Sequence, residues 1–339
     1  DGRRAGAAPG ESQTPIVNPD LQLACGIEIQ VILDESGSVK NYRSDVQRAF
    51  RSFTGALKNT GSRLAVSEFS TVARLPLAGP AQSSYTPVTD ATVASTFEPY
   101  ISNGYNPSGS TNWEDAFRIG RYFLPRPSAV TPHLVVFITD GNPNRQVNNA
   151  RVTYDPGNPS PTANEYENKV PLADSESSSA REDAAAGRAV ANANALKAQG
   201  SHVLAVAVGD GLSGTSALNR LESVSGPDVY DGTGTFDIAT TDVYRESDFS
   251  RLETALRSAA FQLCAPSLTV RKLVDLTPDT GVSDAVPGPG YGITANVAPQ
   301  PTSWILPTGA TGTTATTTTD VNGFGGFQWN TSTGVASTV

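Results

Sequence analysis

The sequence predicts an α/β protein, a doubly wound and mostly parallel sheet followed by a small all-β module. Three observations predict it. Apolar runs of strand length alternate with amphipathic stretches of helix length from Ile27 to Leu263. Several of those runs are apolar throughout, as strands buried on both faces must be. Beyond Pro266 the helical periods stop and short β-like segments lie between Thr-, Gly- and Pro-rich turns.

Taken in order, residues 1–23 carry neither period and read as a flexible leader. Ile27–Leu33 is an apolar run ending in a polar loop, a buried parallel strand. Tyr42–Leu57 spaces Val46, Ala49, Phe50, Phe53 and Leu57 as a helix does. Arg63–Phe69 alternates like a strand, with Ala73–Leu77 as its hairpin partner. Val88–Ile101 and Trp113–Leu124 are helical, and His133–Thr139 (HLVVFIT) is the most strand-like segment of the chain. Arg181–Gln199 is an Ala-rich helix with Gly200 at its C-terminal cap position. His202–Val208 is a further buried strand. A helix through Leu218–Val224, a short strand at Val229–Tyr230 and a last helix over Phe249–Leu263 complete the series. The β-like pieces of the tail are Leu268–Val274, Ile293–Val297 and Phe327–Trp329. The tail ends before such a module would be complete, so a partial β-sandwich is expected over 265–339.

Composition narrows the function classes. The 339 residues accommodate two domains. A net charge of −9 disfavours nucleic acid and anionic lipid as partners. No run approaches 18 apolar residues, so nothing in this chain inserts into a membrane. Only His133 and His202 are present, both in or at the start of buried strands, which leaves no base for a Ser/His/Asp relay. Neither a Gly-x-Ser-x-Gly elbow, nor a phosphate loop, nor a Cys/His metal cluster occurs, so no enzymatic activity is expected. The two cysteines, Cys25 and Cys264, fall on the two ends of the inferred α/β domain, where one disulfide would staple it. The alternative is two unrelated buried thiols. A bridge places the chain in an oxidising, extracellular setting. The absence of Met and the start at Asp1 agree with a processed, secreted product.

In open α/β sheets ligands bind at the carboxyl ends of strands, near the point where strand order reverses. Three strand-to-helix loops here carry oxygen ligands. The first reads Asp34-Glu35-Ser36-Gly37-Ser38, the second Ser108-Gly109-Ser110-Thr111-Asn112, and the third Thr139-Asp140-Gly141. This pattern resembles the metal-ion-dependent adhesion site of the von Willebrand factor type A family. That pattern is Asp-x-Ser-x-Ser, then a Thr, then an Asp, and all five positions are matched in order over about residues 24–264. The resemblance implies a Rossmann-like type A domain holding one divalent cation on Asp34, Ser36, Ser38, Thr111 and Asp140. Ser36 and Ser38 would bind directly, while Thr111 and the aspartates would exchange between direct and water-mediated contact. Oxygen-only donors select Mg²⁺, Mn²⁺ or Ca²⁺, with Mg²⁺ the leading expectation. Two carboxylates and neutral hydroxyls leave the ion electrophilic, open to an acidic group from a partner.

The stretch at about 142–180 is far longer than a loop joining strand to helix needs, and it leaves directly from Asp140. It is expected on the rim of the site, shaping partner choice, with Tyr154 and Tyr166 as contact aromatics. The tail segment LTVRKLVD resembles the first strand of pilin-type, prealbumin-like modules of Gram-positive surface proteins. There a lysine often bonds covalently to an Asn with help from a buried acid. Lys272 stands in the matching place, but no Glu follows Glu253, and neither Asn330 nor Asp320 fits as its partner.

The whole points to a secreted, surface-displayed adhesin or pilus-tip-like subunit at a cell surface or wall. Its ligand would be a protein or glycan on a host, matrix or neighbouring cell, with other pilus or wall subunits as further partners. The alternative is a structural pilus or cell-wall subunit whose metal only stabilises the fold.

Overall fold

In a computed structural model of the chain, residues 13–23, 26–58, 60–123, 133–147, 166–167, 178–233, 236–263, 267–275, 285–301, 303–307, 310–319 and 323–330 are described. Cys25, Cys264, Tyr154 and Asp320 lie outside them, and with them the expected disulfide. By their contacts the residues fall into two units, Asp1–Leu263 and Cys264–Val339.

The strands of the first unit are β1 (Glu28–Asp34), β2 (Arg63–Phe69), β3 (Ala73–Arg74), β4 (Thr86–Pro87), β5 (His133–Thr139), β6 (Gln146–Val147), β7 (Tyr166–Glu167), β8 (Ser201–Val208), β9 (Val229–Tyr230) and β10 (Val243–Glu246). Among the described residues eight of them form one sheet in the order β3–β2–β1–β5–β8–β10–β9, with β4 also beside β2. The pairs from β2 through β9 are parallel, and only β3 and β4 run antiparallel to β2. The chain leaves β1 toward β2 and then returns to add β5 on the other side. The switch point therefore lies between β1 and β5, whose loops carry Asp34 and Asp140.

The helices are α1 (Arg43–Leu57), α2 (residues 90–104), α3 (Trp113–Gly120), α4 (Ser178–Lys197), α5 (Thr215–Val224) and α6 (Leu252–Leu263). In α2 the turns over Val93–Phe97 and Tyr100–Gly104 are π-helical. Because side chains alternate across a strand, each central strand supplies both layers of core. From β5, Leu134, Val136 and Ile138 join the cluster of α1, α2 and α6, whereas Val135 and Phe137 join that of α3, α4 and α5. His133 and His202 are buried, as the strand pattern required; His133 bonds Tyr85 Oη and Ser201 Oγ, both at 2.6 Å.

Two features differ from expectation. β10 was not anticipated: Val-Tyr-Arg-Glu offers one fully buried residue, too little apolar signal to mark a strand between β8 and β9. More substantially, residues 13–23 of the expected flexible leader are docked. The Asn18 amide reads the Val203 backbone like a strand, donating Nδ2 to the carbonyl and accepting from the N–H, each at 2.9 Å. It fills the place beside β8 that precedes the start of β10 pairing at Ala205. The buried ammonium of Lys197 donates to Ile16 O at 3.0 Å and Ser225 O at 2.9 Å. Polar side chains from the body satisfy the leader backbone, which apolar periodicity cannot signal.

In the second unit, Ser267–Arg271, Phe324–Asn330 and Ser303–Leu306 form a three-stranded antiparallel sheet, beside two further two-stranded pairs. Its core is Ala295, Val297, Trp304, Ala315, Phe327 and Trp329.

Candidate metal centre

The first and third loops leave the carboxyl ends of β1 and β5, whereas the second, expected after a strand, joins α2 to α3; each is fastened to its neighbour by backbone hydrogen bonds. Gly37 N donates to Gly109 O at 3.0 Å and Ser108 N to Glu35 O at 2.7 Å, joining the first and second loops. Asn144 N and Arg145 N donate to Thr111 O at 2.9 and 3.1 Å, and Thr111 N donates to Asn144 Oδ1 at 3.0 Å, joining the second and third. Glycine is needed at the first contact. A Cβ on Gly37 would stand 3.1 Å from Gly109 O, and Gly109 has φ +87° with Thr71 Oγ1 only 2.8 Å from where its Cβ would be.

Four of the five predicted residues form one hydrogen-bonded chain. Asp34 Oδ1 accepts from Ser36 N and Asp34 Oδ2 from Thr139 Oγ1, both at 2.7 Å. Ser36 Oγ and Ser38 Oγ are 3.0 Å apart, and Ser38 Oγ donates to Asp140 Oδ1 at 2.7 Å. Thr111 faces the same space: a methyl group on Gly141 would lie 3.7 Å from Thr111 Oγ1 and 3.9 Å from Ser38 Oγ. Asp34, Ser36, Thr111 and Asp140 are buried, and Ser38 is exposed.

The electrostatics are those of a place lacking positive charge. Burial, followed by the charge of Asp140, pushes the Asp34 carboxyl up to about 7. Burial likewise raises Asp140. Neither carboxylate forms an ion pair with a Lys or Arg of the described residues. Among these residues no group of three or more His, Cys, Asp or Glu is placed to hold a metal ion. The donor set is two carboxylates and three hydroxyls, which suits a hard cation and not a soft one.

Three residues behind the site were not read from the sequence. Arg74 bonds Glu68 and also Glu35, at 2.8 Å to Oε2. Glu35 accepts from Asn106 N, and Tyr100 Oη donates to Glu68 Oε2 at 2.9 Å. Burial and the charge of Glu35 push Glu68 up to about 8 despite Arg74. The one signal was a Glu closing the apolar run of β2. Of the expected rim, Tyr166 is placed, in the strand that pairs with β6. Lys272 is exposed, its Nζ 5.1 Å from the centroid of the Tyr291 ring.

The first unit has a doubly wound, mostly parallel α/β fold. The loops of Asp34 and Asp140 stand at its switch point, and the loop of Thr111 is hydrogen-bonded to both. No family model matches the chain. No curated protein matches it either. Among solved structures, it is similar to proximal thread matrix protein 1 of the mussel byssus, at 16% identity and TM-score 0.43, over 74% of this chain and 50% of that one. It is similar to the PilB minor pilin of Streptococcus sanguinis at 17% identity and TM-score 0.48, over 72% of this chain and 62% of that one. The von Willebrand factor domain of the Porphyromonas gingivalis type V pili tip protein Mfa5 matches at 14% identity and TM-score 0.44, over 70% of this chain and 95% of that domain. The chain thus spans 50% and 62% of the first two proteins' lengths.

Proposed function

We propose that the first unit is a cation-dependent binding module. It holds one divalent ion, Mg²⁺ in the first place, on Asp34, Ser36, Ser38, Thr111 and Asp140, and presents it to an acidic group of a partner. The observation that carries this reading is the convergence, on three hydroxyl-bearing loops, of two buried carboxylates with no basic partner among the described residues. Charges buried in this way are stable only when compensated, and a dication supplies what the chain does not. The protein's own groups do the rest: Asp34 and Asp140 neutralise one side of the ion, and the hydroxyls fill positions without adding charge. The exposed side of Ser38 leaves the approach open to a carboxylate from outside. We read the whole as a non-enzymatic adhesin or pilus-type subunit of a cell surface, with a protein or glycan ligand. No helix among the described residues is long and apolar enough to cross a membrane.

The test is adhesion to collagens, fibrinogen and glycan arrays in Mg²⁺ and in EDTA, with calorimetric Mg²⁺ uptake alongside. Asp140→Ala and Ser36→Ala are expected to abolish both uptake and cation-dependent adhesion while the fold persists. Absence of Mg²⁺, Mn²⁺ and Ca²⁺ uptake at millimolar concentration would overturn the proposal. A protein that takes up cation yet adheres equally in EDTA belongs instead to the structural alternative.

A further inference from the structure

Arg220 sits on α5, 4% exposed, and spends every N–H of its guanidinium. Nε donates to Asp183 Oδ1 at 2.6 Å, and Nη2 donates to Ser179 Oγ at 2.7 Å and Ser179 O at 3.2 Å. Nη1 donates to Glu182 Oε2 at 2.6 Å and to Asn142 Oδ1 at 2.9 Å. Two carboxylates on the first turns of α4 are enough to neutralise the guanidinium. The bond to Asn142 adds no charge balance. What it adds is a position, because Asn142 stands two residues after Asp140 in the third ligand loop.

The other end of the same amide is held too. Asn142 Nδ2 donates to Gly211 O at 3.4 Å, and a Cβ on Gly211 would lie 2.6 Å from Asp140 O. The segment after β8 is therefore packed directly on the backbone of Asp140. The third loop is gripped from both sides: Asn144 ties it to Thr111, and Asn142 ties it to α5.

We propose that Arg220 and Asn142 are a positioning pair for the cation. The planar fork of Arg220, locked to α4, fixes the Asn142 amide and through it the aim of the Asp140 carboxylate. Lysine could carry the charge but not the five-way geometry. This rests on reading the three loops as a cation site. Groups that orient a ligand without touching the metal typically govern about 10- to 100-fold in affinity.

The test is a double-mutant cycle of Asn142→Ala and Arg220→Met, with Asp183→Asn as a control. Mg²⁺ and Mn²⁺ affinity is read by calorimetry and the thermal midpoint is read in EDTA. Asn142→Ala is expected to weaken cation binding about tenfold or more. Its midpoint in EDTA should move by no more than about 4 °C, since the two bonds lost are one part-buried and one long and exposed. The double variant should bind the ion no more weakly than Arg220→Met alone, because both act through one contact. Asp183→Asn keeps an oxygen acceptor for Nε while removing one charge, and should keep affinity within about twofold of the parent. Fully additive losses, or an Asn142→Ala affinity within about twofold of the parent, would overturn the pair. So would affinity losses that simply track the EDTA midpoint. If the parent protein takes up no cation the function proposed above falls and this pair with it; if the parent binds and the variants bind equally, only the pair falls.

Discussion

On the proposed function, cation uptake is linked to the proton on Asp34, and the linkage has a calculable size. Burial holds that carboxyl at about 7 in the cation-free protein, against an ordinary 3.8. The ionised form is the ligand, so below this value an arriving ion must displace a proton. At pH 5 the affinity is therefore lower by about 100-fold than for the ionised site. A cation present at about 100 times its dissociation constant adds about 2.7 kcal/mol of stability, and a 100-fold weaker affinity leaves about 0.4. For a unit of this size each kcal/mol moves the midpoint by about 2–4 °C. Scanning calorimetry with such Mg²⁺ at pH 7.5 should show a rise of roughly 5–10 °C over EDTA, shrinking to about 1 °C at pH 5. Without cation the trend reverses. A buried carboxyl with a raised pKa is held better as the neutral acid, so its penalty is absent below 3.8 and complete above about 7. That penalty is on the order of 4 kcal/mol for Asp34, so stability in EDTA should fall as pH rises through this window. A Mg²⁺ increment that is the same at pH 5 and pH 7.5 would refute the linkage.

Three further outcomes follow from the same geometry. Asp34→Asn should eliminate Mg²⁺ uptake yet raise the EDTA midpoint at pH 7.5 by several degrees, because a buried charge without a basic partner disappears; a lowered midpoint would contradict it. Arg74→Met leaves Glu35 and Glu68 facing each other, so urea unfolding at pH 8.5 should show a loss of roughly 3 kcal/mol. At pH 5 the loss should be smaller by up to about 1 kcal/mol, since Glu68, held at about 8, is then protonated; a larger loss at pH 5 than at pH 8.5 would count against the triad. Asn18→Ala strips the Val203 backbone of its partners and should cost about 2–3 kcal/mol in the same assay, whereas a loose leader would show no change.

The central strands and the three oxygen-rich loops proposed to hold the cation were legible in the sequence because each leaves a local pattern. His133–Thr139 is apolar on both faces, and Asp34, Ser36 and Ser38 stand at fixed spacing after such a run. What escaped was held by long-range polar contacts. Asn18 meets Val203 and Asp242, 185 and 224 residues away, and nothing near Asn18 in the chain marks it as buried. Arg74 and Glu68 lie in one hairpin, but the third member, Glu35, arrives from another strand. Arg220 reads as an ordinary surface residue of an amphipathic helix until α4 and the third loop close over it. Hydrophobic periodicity reports which face is buried, whereas a buried charge is explained only by its partner, which periodicity does not locate.

These same contacts bear on whether the cation builds the fold or uses it. The loops are bound to one another by Gly37–Gly109, Ser108–Glu35 and Asn144–Thr111 hydrogen bonds that involve no metal. Both faces of the sheet are closed by apolar cores to which the five donor side chains contribute nothing. A metal that merely fastened the fold would be expected where such fastening is missing. Among the described residues the positions that lack compensation are the carboxylates themselves, so an ion bound as proposed would correct an electrostatic deficit and leave packing as it was. The stability it adds should then be lost on Asp34→Asn together with the deficit, with m-values in urea unchanged between Mg²⁺ and EDTA because no extra surface is buried. An m-value that rises with Mg²⁺ would mean that the ion orders part of the chain, and the structural reading would replace the binding one.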